Sequence, residues 1–200
     1  MYVDVHAHID MVDASVIERA YDAGVHHIIA PGVDKASNDA VIALAKHYTH
    51  VHAANGFYPD QHDVDTDQLE RHASALIAVS ECGLDYHICQ NPDGIDRQKK
   101  LFLAQIHFAN KHNLPLIVHS RKAEQDVLDM LEHATVPVVL HCFEANKTLL
   151  QRAIDAKYFI TITSNIKRAD QVQLRARLTP LKQLLTETDT PYQGPDRDKP

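Results

Sequence analysis

Two histidines and the apolar run that carries them give this chain its first chemical signal. Val3-Asp4-Val5-His6-Ala7-His8-Ile9 places imidazoles two residues apart. On a β-strand His6 and His8 project to one side, about 6.5–7 Å apart along the strand, and both rings can lean onto one ion. Neutral imidazole is the commonest protein ligand for a transition metal. Four more ligand-type residues close later apolar runs: Glu81, His119, His141 and Asp189. Such groups at the mouth of an apolar strand are costly to desolvate unless they are paired or metal-bound. Six together therefore imply a cation or a dense hydrogen-bond network. Four imidazoles and two carboxylates exceed what one zinc with an open position takes, usually three protein ligands, and suit two divalent ions sharing a bridging carboxylate.

The elements that must position these groups follow from periodicity. Apolar runs predict strands over Val3–Ile9, His27–Val33, His50–Pro59, Leu76–Leu84, Pro115–Ser120, Pro137–Cys142, Tyr158–Ser164 and Leu184–Asp189. Between them, helical spacing predicts helices over Ser15–Gly24, Ala36–His47, Asp67–Ala73, Asp96–His112, Ala123–His133, Asn146–Ala156 and Ala169–Arg177, with Asp13 as an N-cap and Gly24 as a stop. Near-continuous apolar strands alternating with helices call for a parallel sheet covered on its outside, and eight repeats call for a closed (β/α)8 TIM barrel. In that fold the six ligand-type side chains share the carboxyl-terminal face, where barrel enzymes keep their active sites. Tyr192–Pro200 carries no helical period, so the last helix is expected to be missing, and a barrel of this type typically runs to about 250 residues. A truncated carboxyl end is expected, with a naturally incomplete barrel as the alternative.

Composition narrows the class. With 200 residues and 44% hydrophobic content, the chain forms one domain over 1–200. No window approaches 18 uninterrupted apolar residues, and the first strand begins within three residues of Met1. A cytoplasmic protein with no membrane association is expected, and nothing indicates an obligate protein partner. Cys82, Cys89 and Cys142 lack Cys-x-x-Cys spacing and read as reduced thiols. Twenty Lys and Arg against twenty-seven Asp and Glu give a formal charge of −7. That sign is wrong for holding nucleic acid by long-range electrostatics, so a polyanion must be gripped locally. Most of the fifteen histidines, among them His26, His27, His47, His50, His72, His107, His112 and His133, fall in helices or at element ends and need no special role.

Five ordered segments carry a further signal: Val3-Asp4-Val5-His6-Ala7-His8-Ile9-Asp10, Ser80-Glu81-Cys82-Gly83-Leu84-Asp85-Tyr86-His87, Leu114-Pro115-Leu116-Ile117-Val118-His119-Ser120-Arg121, His141-Cys142-Phe143, and Glu187-Thr188-Asp189-Thr190-Pro191-Tyr192. In order and content they resemble the TatD family of metal-dependent deoxyribonucleases, a branch of the amidohydrolase-like metal barrels, over the whole chain. The resemblance implies that His6, His8 and Asp189 hold one ion, His119 and His141 the second, and that Glu81 bridges them. It implies Glu81 and Asp189 as catalytic residues, the latter accepting a proton from the attacking water. Nitrogen-rich ligation and phosphoryl chemistry together point to zinc, magnesium or manganese at those positions. Two departures touch the substrate side. Tyr58 in Gly56-Phe57-Tyr58-Pro59 stands where the family usually has His, with His62 as a substitute, and Glu144-Ala145 replaces the usual Ser-Gly.

Substrate contacts are expected from Arg121, whose guanidinium matches a phosphate bidentately, and from Tyr86, His87 and Tyr58, which can stack on a base or bond a phosphate. Lys167 and Arg168 read as a solvated loop pair. The leading function is hydrolysis of DNA phosphodiester bonds from a single strand or strand end. An amidohydrolase-type C–N or C–O hydrolase on a small substrate is the alternative and makes no demand on Arg121. A metal-storing or scaffolding protein is a third reading.

Overall fold

Seven of the eight predicted strand–helix repeats are complete in a computed structural model that describes residues 1–194. The strands are β1 (Tyr2–Asp4), β2 (Val25–Pro31), β3 (Val51–Asn55), β4 (Ala78–Asp85), β5 (Leu116–Arg121), β6 (Val138–Leu140), β7 (Phe159–Ile162) and β8 (Leu184–Thr186). Between them run α1 (Ala14–Asp22), α2 (Lys35–His47), α3 (Thr66–His72), α4 (Pro92–His112), α5 (Glu124–Met130), α6 (Lys147–Asp155) and α7 (Asp170–Leu178). All strands are parallel and pair in chain order from β1 to β8. No helix follows β8 among the described residues, and the predicted non-helical tail is described only as far as residue 194. Among them no helix is long and apolar enough to cross a membrane.

Local chemistry explains where the helices start. The Asp13 carboxylate accepts from the Ser15 amide, as predicted. At α2 a capping box forms, with Asp34 accepting from the Ser37 amide at 2.8 Å while the Ser37 hydroxyl accepts from the Asp34 amide at 3.0 Å. Helix α4 begins one turn earlier than the Asp96 expected from periodicity. Asn91 caps it, and Pro92, tolerated in a first turn because that amide has no helical partner, opens it.

Two apolar layers hold the sheet. Ile28, Ala30, Val51 and Ala53 pack outward against the helices, in one cluster with Ile17, Val41, Phe102 and Leu128. Ile29, Ala54, Ala78, Ile117, Val139, Phe159 and Leu185 form a second cluster with one residue from each strand β2 to β8. Only the inside of a barrel brings seven such positions together. Closure between β8 and β1 comes from Val5 N donating to Thr186 O at 3.1 Å and Asp189 N donating to His6 O at 2.9 Å.

The first and last strands are shorter than predicted, and the reason bears on the site. β1 ends at Asp4, so His6 and His8 lie beyond the regular ladder, and β8 ends at Thr186, ahead of Asp189. Asp189 takes a left-handed φ of +54°, which an aspartate tolerates better than most residues. The two departing segments then bind each other, His8 N donating to Thr190 O at 2.9 Å.

Candidate active site

Side chains from β4, β5 and the segments after β1, β6 and β8 meet at the carboxyl-terminal mouth. A cavity of about 560 Å³ opens there, lined by His8, Tyr58, Glu81, His119, Arg121, His141, Cys142, Glu144, Asp189 and Tyr192 among others. That volume suits a small ligand or a few nucleotides. Gly83 lets β4 and β5 approach where Glu81 and His119 must face each other. Its φ is +139°, and a Cβ there would run into the His119 carbonyl.

His6 Nε2 and His8 Nε2 are 3.2 Å apart. His6 Nε2 lies 3.7 Å from Glu81 Oε2 and 3.8 Å from Asp189 Oδ1, and His8 Nε2 lies 3.5 and 3.6 Å from the same two oxygens. Around a divalent ion with arms of about 2.1 Å, tetrahedral ligand atoms sit about 3.4 Å apart. These four atoms therefore already stand at the corners of a cation's shell. Without an ion, two ring nitrogens and two carboxylate oxygens crowd together in a buried space. The donor set fits a divalent metal.

Glu81 turns its second oxygen to the other pair, Oε1 lying 2.9 Å from His119 Nδ1 and 3.8 Å from His141 Nε2. Asp189 Oδ1 is 3.7 Å from His141 Nε2. One carboxylate thus faces all four imidazoles. His6 and His141 stack with ring centroids 3.7 Å apart.

Two carboxylates that the sequence reading did not assign stand behind these rings. Glu187 Oε2 is 2.9 Å from His141 Nδ1, and its Oε1 accepts from the Thr161 hydroxyl at 2.6 Å and the Cys142 amide at 3.1 Å. Asp85 Oδ2 is 3.1 Å from His119 Nε2 and accepts from the Tyr58 hydroxyl at 2.7 Å, while its Oδ1 accepts from the His87 amide at 2.8 Å. A carboxylate on the far nitrogen fixes the ring's tautomer and raises its basicity as a ligand. Both residues stood inside quoted motifs, but only the fold shows which ring each touches. A third carboxylate, Asp4, accepts from the Thr188 amide and hydroxyl at 3.0 and 2.7 Å and ties the β1 end to the segment bearing Asp189.

The protonation pattern follows. Burial acts to lower His141, yet Glu187, then Asp189 and Glu81, outweigh it and push the ring up to about 10. Burial likewise opposes a proton on His119, but Asp85 and Glu81 raise it. His6 is lowered by burial and by His141. Burial would raise Glu81, but His119 and His6 hold it well below the usual carboxylate range. Asp4 is pushed up to about 6 by burial, against its hydrogen bonds to Thr188. Imidazolium protons thus occupy the place of positive charge that metal ions can take, and binding a metal must expel them.

Of the expected substrate contacts, Arg121 is exposed on the cavity rim. Tyr58 is also there, with its hydroxyl committed to Asp85 and 3.1 Å from His119 Nε2. Tyr86 and His87 do not line the cavity. The Tyr86 hydroxyl donates to Asp126 Oδ2 at 2.7 Å because the chain turns outward after Asp85. His62, the expected stand-in for the missing histidine, is exposed and also outside the lining, whereas Glu144 is part of it. Lys167 and Arg168 do not reach the cavity, and Arg168 donates to Gly194 O at 3.3 Å. Tyr192, which sequence reasoning passed over as a contact, sets its ring edge-on to His8 at 5.6 Å and remains exposed, an aromatic face at the rim.

Comparison with known proteins gives one consistent answer. The sequence profile described as "TatD related DNase" matches residues 3–200. The chain is 32% identical over 213 aligned residues to the uncharacterized metal-dependent hydrolase TatD of Mycobacterium tuberculosis, covering 96% of this chain and 81% of that protein. It is 29% identical to the 3′-5′ ssDNA/RNA exonuclease TatD of Escherichia fergusonii, covering 88% of this chain and 72% of that one. Among solved structures, the TatD homolog YjjV of Escherichia coli superposes with a TM-score of 0.85 at 30% identity, covering 96% of this chain and 80% of that one.

Proposed function

The chain belongs to the TatD related DNase family, and from that premise we propose that it is a metal-dependent hydrolase that cleaves DNA phosphodiester bonds from a strand end. The observation that carries this reading is the convergence of four imidazoles on the two oxygens of the single carboxylate Glu81, at the mouth of a cavity with a guanidinium on its rim.

In this reading His6, His8 and Asp189 would hold one ion and His119 and His141 the other, with Glu81 shared between the two sets. Zinc, magnesium or manganese at these atoms supplies Lewis acidity, which lowers the pKa of water and offsets charge on the attacking and leaving oxygens of an in-line displacement. The protein's own groups do the rest. Glu187 and Asp85 keep the His141 and His119 rings turned toward the centre. Asp189, with one carboxylate oxygen facing His6, His8 and His141, is placed to accept the proton lost by the attacking water. Arg121 takes a phosphate of the strand at the rim, and Tyr192 offers a face for a base. With a formal charge of −7, the protein must draw most of its hold on a polyanion from such local groups and from bound ions. A strand terminus enters a cavity of this size more readily than a continuous duplex does. The exonuclease name of the E. fergusonii relative supports attack from an end.

Purified protein supplied in turn with magnesium, manganese and zinc is incubated with end-labelled single-stranded DNA, RNA, and a panel of small amides and esters. Stepwise shortening of the labelled DNA, with the amides and esters intact, is the expected result. Turnover confined to the small substrates refutes the reading.

A further inference from the structure

The opposite, amino-terminal mouth of the barrel holds a second group of imidazoles. Side chains alternate along β2 and β3, and Ile29 and Ala54 belong to the interior cluster. His27 and His52 therefore share that interior face one layer lower, at the end away from Glu81. Ile29 and His52 are register partners across the two strands. His27 Nδ1 and His52 Nε2 are 2.9 Å apart, with ring centroids 5.1 Å apart and planes 30° from parallel. His27 is exposed and His52 half-buried, so solvent reaches the pair. Each ring's only side-chain hydrogen-bond partner among the described residues is the other ring.

A separation of 2.9 Å suits a hydrogen bond between neutral rings. Centroids 5.1 Å apart, close to the longest this separation permits, show the two nitrogens aimed at each other, so an ion requires both rings to turn about their side-chain bonds. Two nitrogens bound at right angles to one ion with arms of about 2.1 Å are about 3.0 Å apart, the separation already present, so neither strand need move. We propose that His27 and His52 form a two-imidazole site for a divalent late transition cation, copper, nickel or zinc, with water completing the shell. Imidazole pairs suit these ions, and copper and nickel accept nitrogen ligands at right angles. A ligand ring must be neutral, and burial, then His27 and His50, lower the pKa of His52 and favour that form. The ligands come from adjacent strands, 25 residues apart in sequence, so the ion clips β2 to β3 beneath the Ile29–Ala54 layer.

The test counts metal, independently of any reaction at the other mouth. Protein preloaded with active-site ions is titrated with copper(II) and desalted. Bound copper is then measured by elemental analysis and its ligands are read by electron paramagnetic resonance. Wild type should hold one copper more than His27→Gln and His52→Gln, and that copper should show coupling to two nitrogens. Equal copper in all three proteins, or two-nitrogen coupling that survives in both variants, overturns the proposal. Because His27 is exposed, His27→Gln serves alone if His52→Gln fails to fold. As a second measurement, zinc should raise the melting temperature of wild type more than that of His27→Gln, and an equal rise counts against the site.

Discussion

Both ends of this barrel gather imidazoles, and they differ in what stands behind the rings. At the carboxyl-terminal mouth His119 and His141 each have a buried carboxylate on the far nitrogen, Asp85 and Glu187, and Glu81 faces all four rings. At the amino-terminal mouth His27 and His52 have, among the described residues, no side-chain hydrogen-bond partner but each other. The contrast teaches that imidazole density alone does not make a catalytic centre. Buried negative charge oriented toward the rings does, because it fixes tautomers, raises basicity and creates a demand for cations that water cannot meet.

Removing a ring at the charged end should have the largest effect. His141→Ala and His6→Ala should abolish DNA hydrolysis and lower the metal found by elemental analysis, while circular dichroism stays that of the folded protein; His27→Gln should hydrolyse at the wild-type rate. Loss of activity with unchanged metal content would break the distinction between the two ends. Next come the carboxylates behind the rings. Glu187→Gln keeps the size of the side chain and removes its charge, and should cost about 10–100-fold in metal affinity or activity. A variant as active as wild type would mean that the far carboxylate only fills space.

Acidity offers a smaller, continuous test. In metal-free protein the folded-state pKa of His141 is about 10, above the 6.5 of an unperturbed ring. A raised value means that the folded state binds the proton more tightly than the unfolded one, so this contribution to stability is complete below about pH 6.5. It fades as pH rises toward 10. In chelator, the melting temperature should fall between pH 7 and pH 10, and His141→Gln should flatten that decline; identical slopes would remove the ring from the account. The smallest effect belongs to Arg121. Arg121→Gln should raise KM for DNA a few-fold with kcat little changed, and reduce the salt dependence of binding by about one phosphate contact. A loss confined to kcat would place the guanidinium at the reacting phosphate instead.

The barrel was legible because eight apolar runs alternate with helical ones, and Asp13 accepts the first-turn amide expected of it; Asn91 and Asn146 were not read as caps, though they serve as such. The six ligand-type residues were legible because each ends an apolar run, where an unpaired polar group is expensive. Strand limits were less so. The apolar alternation through Ile9 continues past the point where the backbone leaves the ladder at Asp4, since amides there bind β2 and the segment after β8 in an irregular pattern. Glu187 and Asp85 could be quoted in motifs but not paired with rings 46 and 34 residues away. Tyr86 pointed elsewhere because its strand turns at Asp85. His27 read as bland for the same reason, its partner lying on the next strand.

Asp189 and the two histidines that face it sit on opposite sides of the seam between the first and last strands, where few amide bonds span the gap. An ion held by all three would therefore add a cross-link to the amide bonds and the Asp4–Thr188 contacts that already close the barrel. Loosening that seam would present two strand edges, the kind of surface on which foreign chains pair. In this molecule the groups that would hold the ion also help to keep those edges covered.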